Sequence, residues 1–246
     1  MMKALKLTPK EMVCFVGGGG KTSLMLKLAE MCGKNNNVLV STTTKMYSWQ
    51  LEKAGKLVIE SNYQLLRQRL ANILKDSPIV AAGSRLVGDK VVGLDAKCLD
   101  EIYDEGLFDY ILVEADGSRG KSLKLPAGNE PIIPERCTAV YVVTGADVLG
   151  KPLTADYVHR ASLMAEFVGR PMGSIIDDSI FIKVINHYCD LKQIASKKVA
   201  ILINKIDNEK IRRHTKGFAY GILSDKIKLV LLTSTLFPNP LREVLE

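Results

Sequence analysis

Five cysteines, at positions 14, 32, 98, 137 and 189, include no Cys-x-x-Cys pair. An odd count without paired spacing excludes both a disulfide framework and a zinc ribbon, and it points to a reducing compartment, so the sequence predicts a cytoplasmic protein. The three histidines, His159, His187 and His214, are scattered without metal-ligand spacing. No apolar stretch is long enough to span a bilayer, and the segment Met1-Met2-Lys3-Ala4-Leu5-Lys6 lacks the apolar core of a secretory signal; no membrane association is expected. Linker-like stretches, low-complexity segments and internal repeats are also missing. The net charge of +7 suits polyanionic ligands, yet the basic residues are spread along the chain rather than massed with aromatics, so nucleic acid is not the expected partner.

What is present begins with a glycine run. The apolar stretch Met12-Val13-Cys14-Phe15-Val16 leads into Gly17-Gly18-Gly19-Gly20-Lys21-Thr22-Ser23, and helix formers follow from Leu24 to Met31. Strand, glycine loop and helix in that order form a phosphate cradle: glycines turn backbone N–H groups toward an anion, and the helix adds its positive end. Lys21 would reach the outer phosphates of a nucleotide, and the Thr22 hydroxyl would ligate its Mg2+. The usual spacing asks for a glycine where Phe15 stands, so the loop is expected to be shortened or rebuilt.

Further apolar runs end in chemically loaded residues. Strands are expected at 37–41, 78–83, 110–114, 139–143, 198–203 and 227–232, with helices at 62–75 and 95–105 and a hairpin excursion at 85–93 turning on Gly88-Asp89. The stretch 152–195 reads mainly as helix with a break near 169–173. Alternating buried strands and helices specify an α/β fold, a P-loop NTPase-like three-layer sandwich with a mostly parallel sheet. One nucleotide-binding domain over 1–246 is expected.

Ligands in such sheets gather at the carboxyl ends of strands. There stand Thr42-Thr43-Thr44-Lys45, Glu114-Ala115-Asp116-Gly117-Ser118-Arg119, Asn204-Lys205-Ile206-Asp207 and Thr233-Ser234-Thr235. Asn-Lys-x-Asp is the pattern by which GTPases recognise guanine: Asp207 accepts from the ring N–H and exocyclic amine, Asn204 reaches the other edge, and the Lys205 stem packs on the ring. Alternatively, Lys205, Asp207, Asn208 and Glu209 form a solvated turn and helix cap. Glu114 or Asp116 would hold Mg2+, and a strand continuing through Asp116 would put both on one face. Arg119 and Lys121 are candidates for a γ-phosphate or an anionic substrate, or else balance the two acids. A GTPase-type Asp-x-x-Gly is missing, because Arg119 stands three residues after Asp116. Gly120-Lys121-Ser122 is no second cradle, since Pro126 forbids a long helix there.

Val-Gly-Gly-Gly-Gly-Lys-Thr-Ser at 16–23, Thr-Thr-Thr-Lys at 42–45, Val-Glu-Ala-Asp-Gly-Ser at 113–118 and Asn-Lys-Ile-Asp at 204–207 resemble the YqeC family. That resemblance implies a cytosolic nucleotide-binding protein acting in selenium cofactor biosynthesis or in maturation of selenium-dependent molybdenum hydroxylases. It implies such a hydroxylase or selenium-cofactor enzyme as partner, and GTP or ATP with Mg2+ as cofactor. Nucleotide hydrolysis, phosphoryl transfer to a small acceptor and a non-catalytic nucleotide-binding scaffold remain the three candidate activities.

Overall fold

The computed structural model describes residues 1–246. Nine strands form its main sheet: β1 (Glu11–Gly17), β2 (Val38–Thr42), β3 (Lys56–Ile59), β4 (Ile79–Gly83), β5 (Tyr110–Glu114), β6 (Ala139–Gly145), β7 (Lys198–Asn204), β8 (Val230–Thr233) and β9 (Leu241–Leu245). Their order across the sheet is β9-β8-β7-β6-β1-β5-β2-β4-β3. All pairings are parallel except β8 with β9. Strands buried on both faces read as continuous apolar runs, which is why the sequence announced the central ones. It did not announce β3 or β9, the two edges, where half the side chains face solvent.

Side-chain alternation along β1 feeds two cores. Met12, Cys14 and Val16 point into a cluster of 45 buried residues, while Val13 and Phe15 point into one of 24 on the opposite face. The smaller cluster is covered by α1 (Lys21–Cys32), whose Leu24, Met25, Leu28, Ala29 and Cys32 form a stripe at helical spacing. The larger is covered by α2 (Tyr63–Ile73), α3 (Ala96–Glu105), α4 (Ala161–Val168), α5 (Asp178–Asp190) and α6 (Glu209–Ala219). Each buried Leu, Ile or Phe stabilises the sandwich by about 1.5–3 kcal/mol relative to exposure. The result is a P-loop NTPase-like three-layer α/β sandwich.

Local signals set the helix starts. Asn62, Asp95, Asp177 and Asn208 each accept a backbone N–H three residues on, capping α2, α3, α5 and α6. The predicted hairpin is present as Arg85–Val87 paired with Lys90–Val92, and a third strand, Lys45–Tyr47, pairs with it antiparallel. The segment 152–195 is less helical than its composition predicts: Val158–His159 pairs as a short parallel strand with Leu123–Lys124 before α4 begins. No helix is long and apolar enough to cross a membrane.

Register positions the site. Phe15 lies opposite Glu114, Gly17 opposite Val143, Thr42 opposite Glu114 and Gly145 opposite Asn204. The carboxyl edge therefore brings the glycine loop, Glu114, Thr42 and Asn204 together although they lie far apart in the chain.

Candidate functional site at the carboxyl edge of the sheet

The loop turns later than the usual motif does. Phe15 stays in β1, fully buried and edge-on to Tyr141 at 5.4 Å, so the turn is confined to Gly17–Gly20, a shortened loop. Gly17, Gly19 and Gly20 have φ of 98°, 72° and 100°, the left-handed region in which a side chain is strained. Space forbids one too: a Cβ on Gly17 would sit 2.2 Å from the Val143 carbonyl oxygen, and one on Gly19 2.2 Å from the Gly145 nitrogen.

The donors aimed at an anion are not those of the whole glycine run. Gly17 N–H donates to Asp116, Gly18 N–H to the Val143 carbonyl at 2.8 Å and Gly19 N–H to the Lys121 carbonyl at 2.9 Å. The N–H groups of Gly20, Lys21, Thr22 and Ser23 have no protein partner, because α1 starts at Lys21 and makes no side-chain cap. The cradle is thus the first turn of the helix, and the glycines before it are braces. Lys121 and Ser122 brace it as well, the latter accepting from Gly145 N–H at 2.8 Å. Lys121 is otherwise turned away, donating to the Asp156 carbonyl at 3.0 Å.

The two acids at the end of β5 part company. The strand stops at Glu114, so its alternation does not extend to Asp116. Glu114 Oε2 accepts from the Thr22 hydroxyl at 2.6 Å and faces the open cleft. Burial raises its pKa above the usual glutamate value, against the pull of Lys21 and the Thr22 hydrogen bond. Asp116 is wholly buried and lines no part of that cleft. Its oxygens lie 3.1 Å from Lys21 Nζ, 3.0 Å from Lys124 Nζ and 3.0 Å from the donating Tyr188 hydroxyl, in addition to the Gly17 N–H. Burial would raise its pKa, but the two ammonium groups and the amide hold it below the ordinary value. Of the residues expected on the metal side, Thr22 and Glu114 meet at the cleft, whereas Asp116 is turned inward as the counter-charge of Lys21.

Behind Asp116 runs a chain of alternating charges that sequence reasoning missed. Lys124 is fully buried and lies 2.8 Å from Glu130, whose Oε2 accepts from Arg160 at 2.6 Å. Burial raises the Glu130 pKa, but the Arg160 hydrogen bond and the adjacent Lys124 ammonium outweigh it and hold the pKa below its usual range. Buried ions cost several kcal/mol apiece unless paired in this way. A lysine set between leucines, as in Leu123-Lys124-Leu125, was the available signal.

On the opposite flank the Asn-Lys-x-Asp segment follows β7. Asn204 donates to the Gly19 carbonyl at 2.7 Å and accepts from the Thr233 hydroxyl, so it ties the loop to the sheet. Asp207 Oδ1 accepts from Ser234 at 2.6 Å. The Lys205 ammonium donates to Ser122 at 2.6 Å and Asp147 at 2.9 Å, and the residue lines the cleft. The capping reading of this segment holds also, through Asn208. Thr42 donates to the Glu114 carbonyl at 2.7 Å and Thr43 to the Ile132 carbonyl at 3.0 Å, which makes these hydroxyls structural ties of the cleft wall. Arg119, at φ 50°, is exposed and lines the cleft, and Lys21 and Lys124 rather than Arg119 and Lys121 balance Asp116.

The family described as YqeC protein matches residues 13–162, which include the glycine loop, both acids and the buried lysine. The chain belongs to the YqeC family. YqeC of Escherichia coli (strain K12) is 30% identical over 182 residues, covering 71% of this chain and 67% of its own length. Among solved structures, a GTPase in apo form from Pyrococcus abyssi aligns at a TM-score of 0.44 and 14% identity, over 94% of this chain and 93% of that one. The MinD cell division protein of Aquifex aeolicus aligns at a TM-score of 0.43 and 15% identity, over 90% of this chain and 82% of that one.

Proposed function

We propose that this YqeC-family protein binds a nucleoside triphosphate with Mg2+ and selects guanine, the nucleotide state governing a maturation or cofactor-transfer step. One observation carries the reading: four adjacent unpartnered amides, Gly20 to Ser23, open on a cleft beside Lys21, with the Thr22 hydroxyl 2.6 Å from the Glu114 carboxylate. Amides and ammonium suit phosphate oxygens. A hydroxyl and a carboxylate are hard oxygen donors that fit Mg2+, which would keep waters in its remaining positions and neutralise charge on the phosphates.

In this reading Lys21 exchanges its contact with Asp116 for the outer phosphates, and Lys124, the Gly17 N–H and the Tyr188 hydroxyl keep Asp116 compensated afterwards. Asp207 takes the guanine edge, while Asn204 holds the loop against it. The place in selenium cofactor biosynthesis or hydroxylase maturation rests on family resemblance alone. Transfer to a small acceptor is the second reading, favoured by the extension of the cleft past Thr22 toward Arg119 and Lys45.

Equilibrium dialysis of labelled GTP and ATP with Mg2+, followed by phosphate release with and without added small molecules, separates these readings. GTP retained over ATP supports the guanine assignment, and ATP preferred overturns it. Phosphate release with Mg2+ alone marks hydrolysis. Consumption only with an acceptor marks transfer.

A further inference from the structure

The cleft that opens on Gly20–Ser23 has a volume of about 730 Å³ and continues to a wall the nucleotide reading does not use. That wall is the strand Lys45–Tyr47 with the short helix Ser48–Glu52, and Lys90 of the hairpin stands beside them as the cross-strand neighbour of Tyr47. Tyr47 and Trp49 lie near one another, ring centroids 6.2 Å apart and planes 25° from parallel, and both are exposed, Trp49 by half. Lys90 sits 4.6 Å from the Tyr47 ring centroid and Lys53 4.5 Å from that of Trp49. Lys45, Lys90 and Arg119 supply positive charge along the same cleft, and Glu114 is its one acid.

A large aromatic pair left in water at the mouth of a polar cleft has no packing role to explain it. Exposed cation–π contacts are weak and exchangeable, so the lysines can leave the ring faces for an incoming anion while a planar ring takes their place. Charge and flat apolar surface on one wall together select a ligand that carries both. The geometry points to a second ligand site here, for a small anionic heterocycle whose ring stacks on Trp49 and Tyr47 and whose anionic group meets Lys45, Lys90 and Arg119. Asn204 and Asp207 do not line this cleft, which separates the site from the proposed base side, and its role as an acceptor site rests on the nucleotide reading above.

Trp49 is the single tryptophan of the chain, so its emission reports this wall alone. Flavin mononucleotide serves as the probe, with riboflavin as the ring without the charge and ribose 5-phosphate as the charge without the ring. Each is titrated by calorimetry and Trp49 emission into protein held with a saturating non-hydrolysable GTP analogue, whose own binding is followed separately by dialysis of the labelled compound. Flavin mononucleotide is expected to bind and quench Trp49, with riboflavin and ribose 5-phosphate at least tenfold weaker. Trp49→Ala and Lys90→Ala are each expected to weaken it at least fivefold with GTP-analogue binding unchanged, and Trp49→Phe to retain it.

Equal binding of ribose 5-phosphate, no binding of flavin mononucleotide, or its competitive displacement by the GTP analogue would overturn the proposal. If flavin mononucleotide binds as described and the GTP analogue does not bind at all, the second site stands and the nucleotide reading fails.

Discussion

The ammonium nitrogen of Lys21 lies 3.1 Å from Oδ1 of Asp116 and 2.6 Å from the Gly17 carbonyl oxygen, with both side chains shut from solvent. The lysine expected to meet phosphate is therefore stored against a carboxylate within its own loop. Asp116 has a second partner in Lys124, so moving Lys21 does not strand a buried negative charge.

Removing Asp116 should cost more than removing Lys21. Asp116→Asn leaves buried Lys21 without its carboxylate partner and Lys124 with Glu130 alone, a loss of about 3–5 kcal/mol, whereas Lys21→Ala leaves Asp116 paired with Lys124 and loses less. Because the folded-state pKa of Asp116 is depressed, its stabilisation is fully present above the unfolded value of about 3.9 and fades as pH falls through the folded value. Urea unfolding should show the Asp116→Asn deficit at pH 7 and a shrinking deficit in acid. A deficit independent of pH would contradict the pairing.

Glu114 behaves in the opposite sense. Burial raises its pKa, so the folded protein binds that proton more tightly, and ionised Glu114 is a stability cost that appears as pH rises above the ordinary glutamate range. Glu114→Gln should unfold no more easily than the parent at pH 7 yet lose Mg2+-dependent enhancement of nucleotide binding. In the parent, that enhancement should grow as pH rises above the ordinary glutamate range. A metal effect retained in Glu114→Gln would remove this residue from the Mg2+ site.

Two glycines of the same region should respond differently. Gly17→Ala pushes a Cβ toward the Val143 carbonyl at a strained φ of 98°, a loss of about 1–3 kcal/mol, together with loss of nucleotide binding. Gly117→Ala meets nothing within 4 Å and has an ordinary φ, so its unfolding midpoint should stay close to the parent. Thermal unfolding of the two variants side by side checks this.

Base selection is expected to reside in Asp207. Its Ser234 hydrogen bond fixes the carboxylate without burying it, so Asp207→Asn should reduce the preference for GTP over ATP at least tenfold with little change in stability. Asn204→Ala differs in kind: it strands the Gly19 carbonyl and should lower stability by about 1–3 kcal/mol and weaken both nucleotides. Competition dialysis reads both effects.

The parts of the site legible in the sequence were those made by local rules. A glycine run between a buried strand and a helix can be read from residue types alone, and so can acids and amides that follow apolar runs. The placement of Asp116 was not legible, because it depends on β5 ending two residues earlier, on the turn that brings Lys124 back to it and on a contact from Tyr188, far off in the chain. Nor was the wall of Tyr47 and Trp49, since a three-residue strand carries too little alternation to be recognised and is held by pairing with Lys90–Val92. Edge strands β3 and β9 escaped for a related reason. Their pattern is set by what the neighbouring strand leaves exposed.

The central claim is that Lys21 and the first turn of α1 hold the phosphates of a Mg2+-bound nucleotide. Calorimetric titration of GTP with Mg2+ into the parent and into Lys21→Ala tests it most directly, with circular dichroism confirming that both are folded. The account predicts one saturable site in the parent and at least a hundredfold weaker binding in the variant; equal affinity in the two proteins, or no binding by the parent, would contradict it.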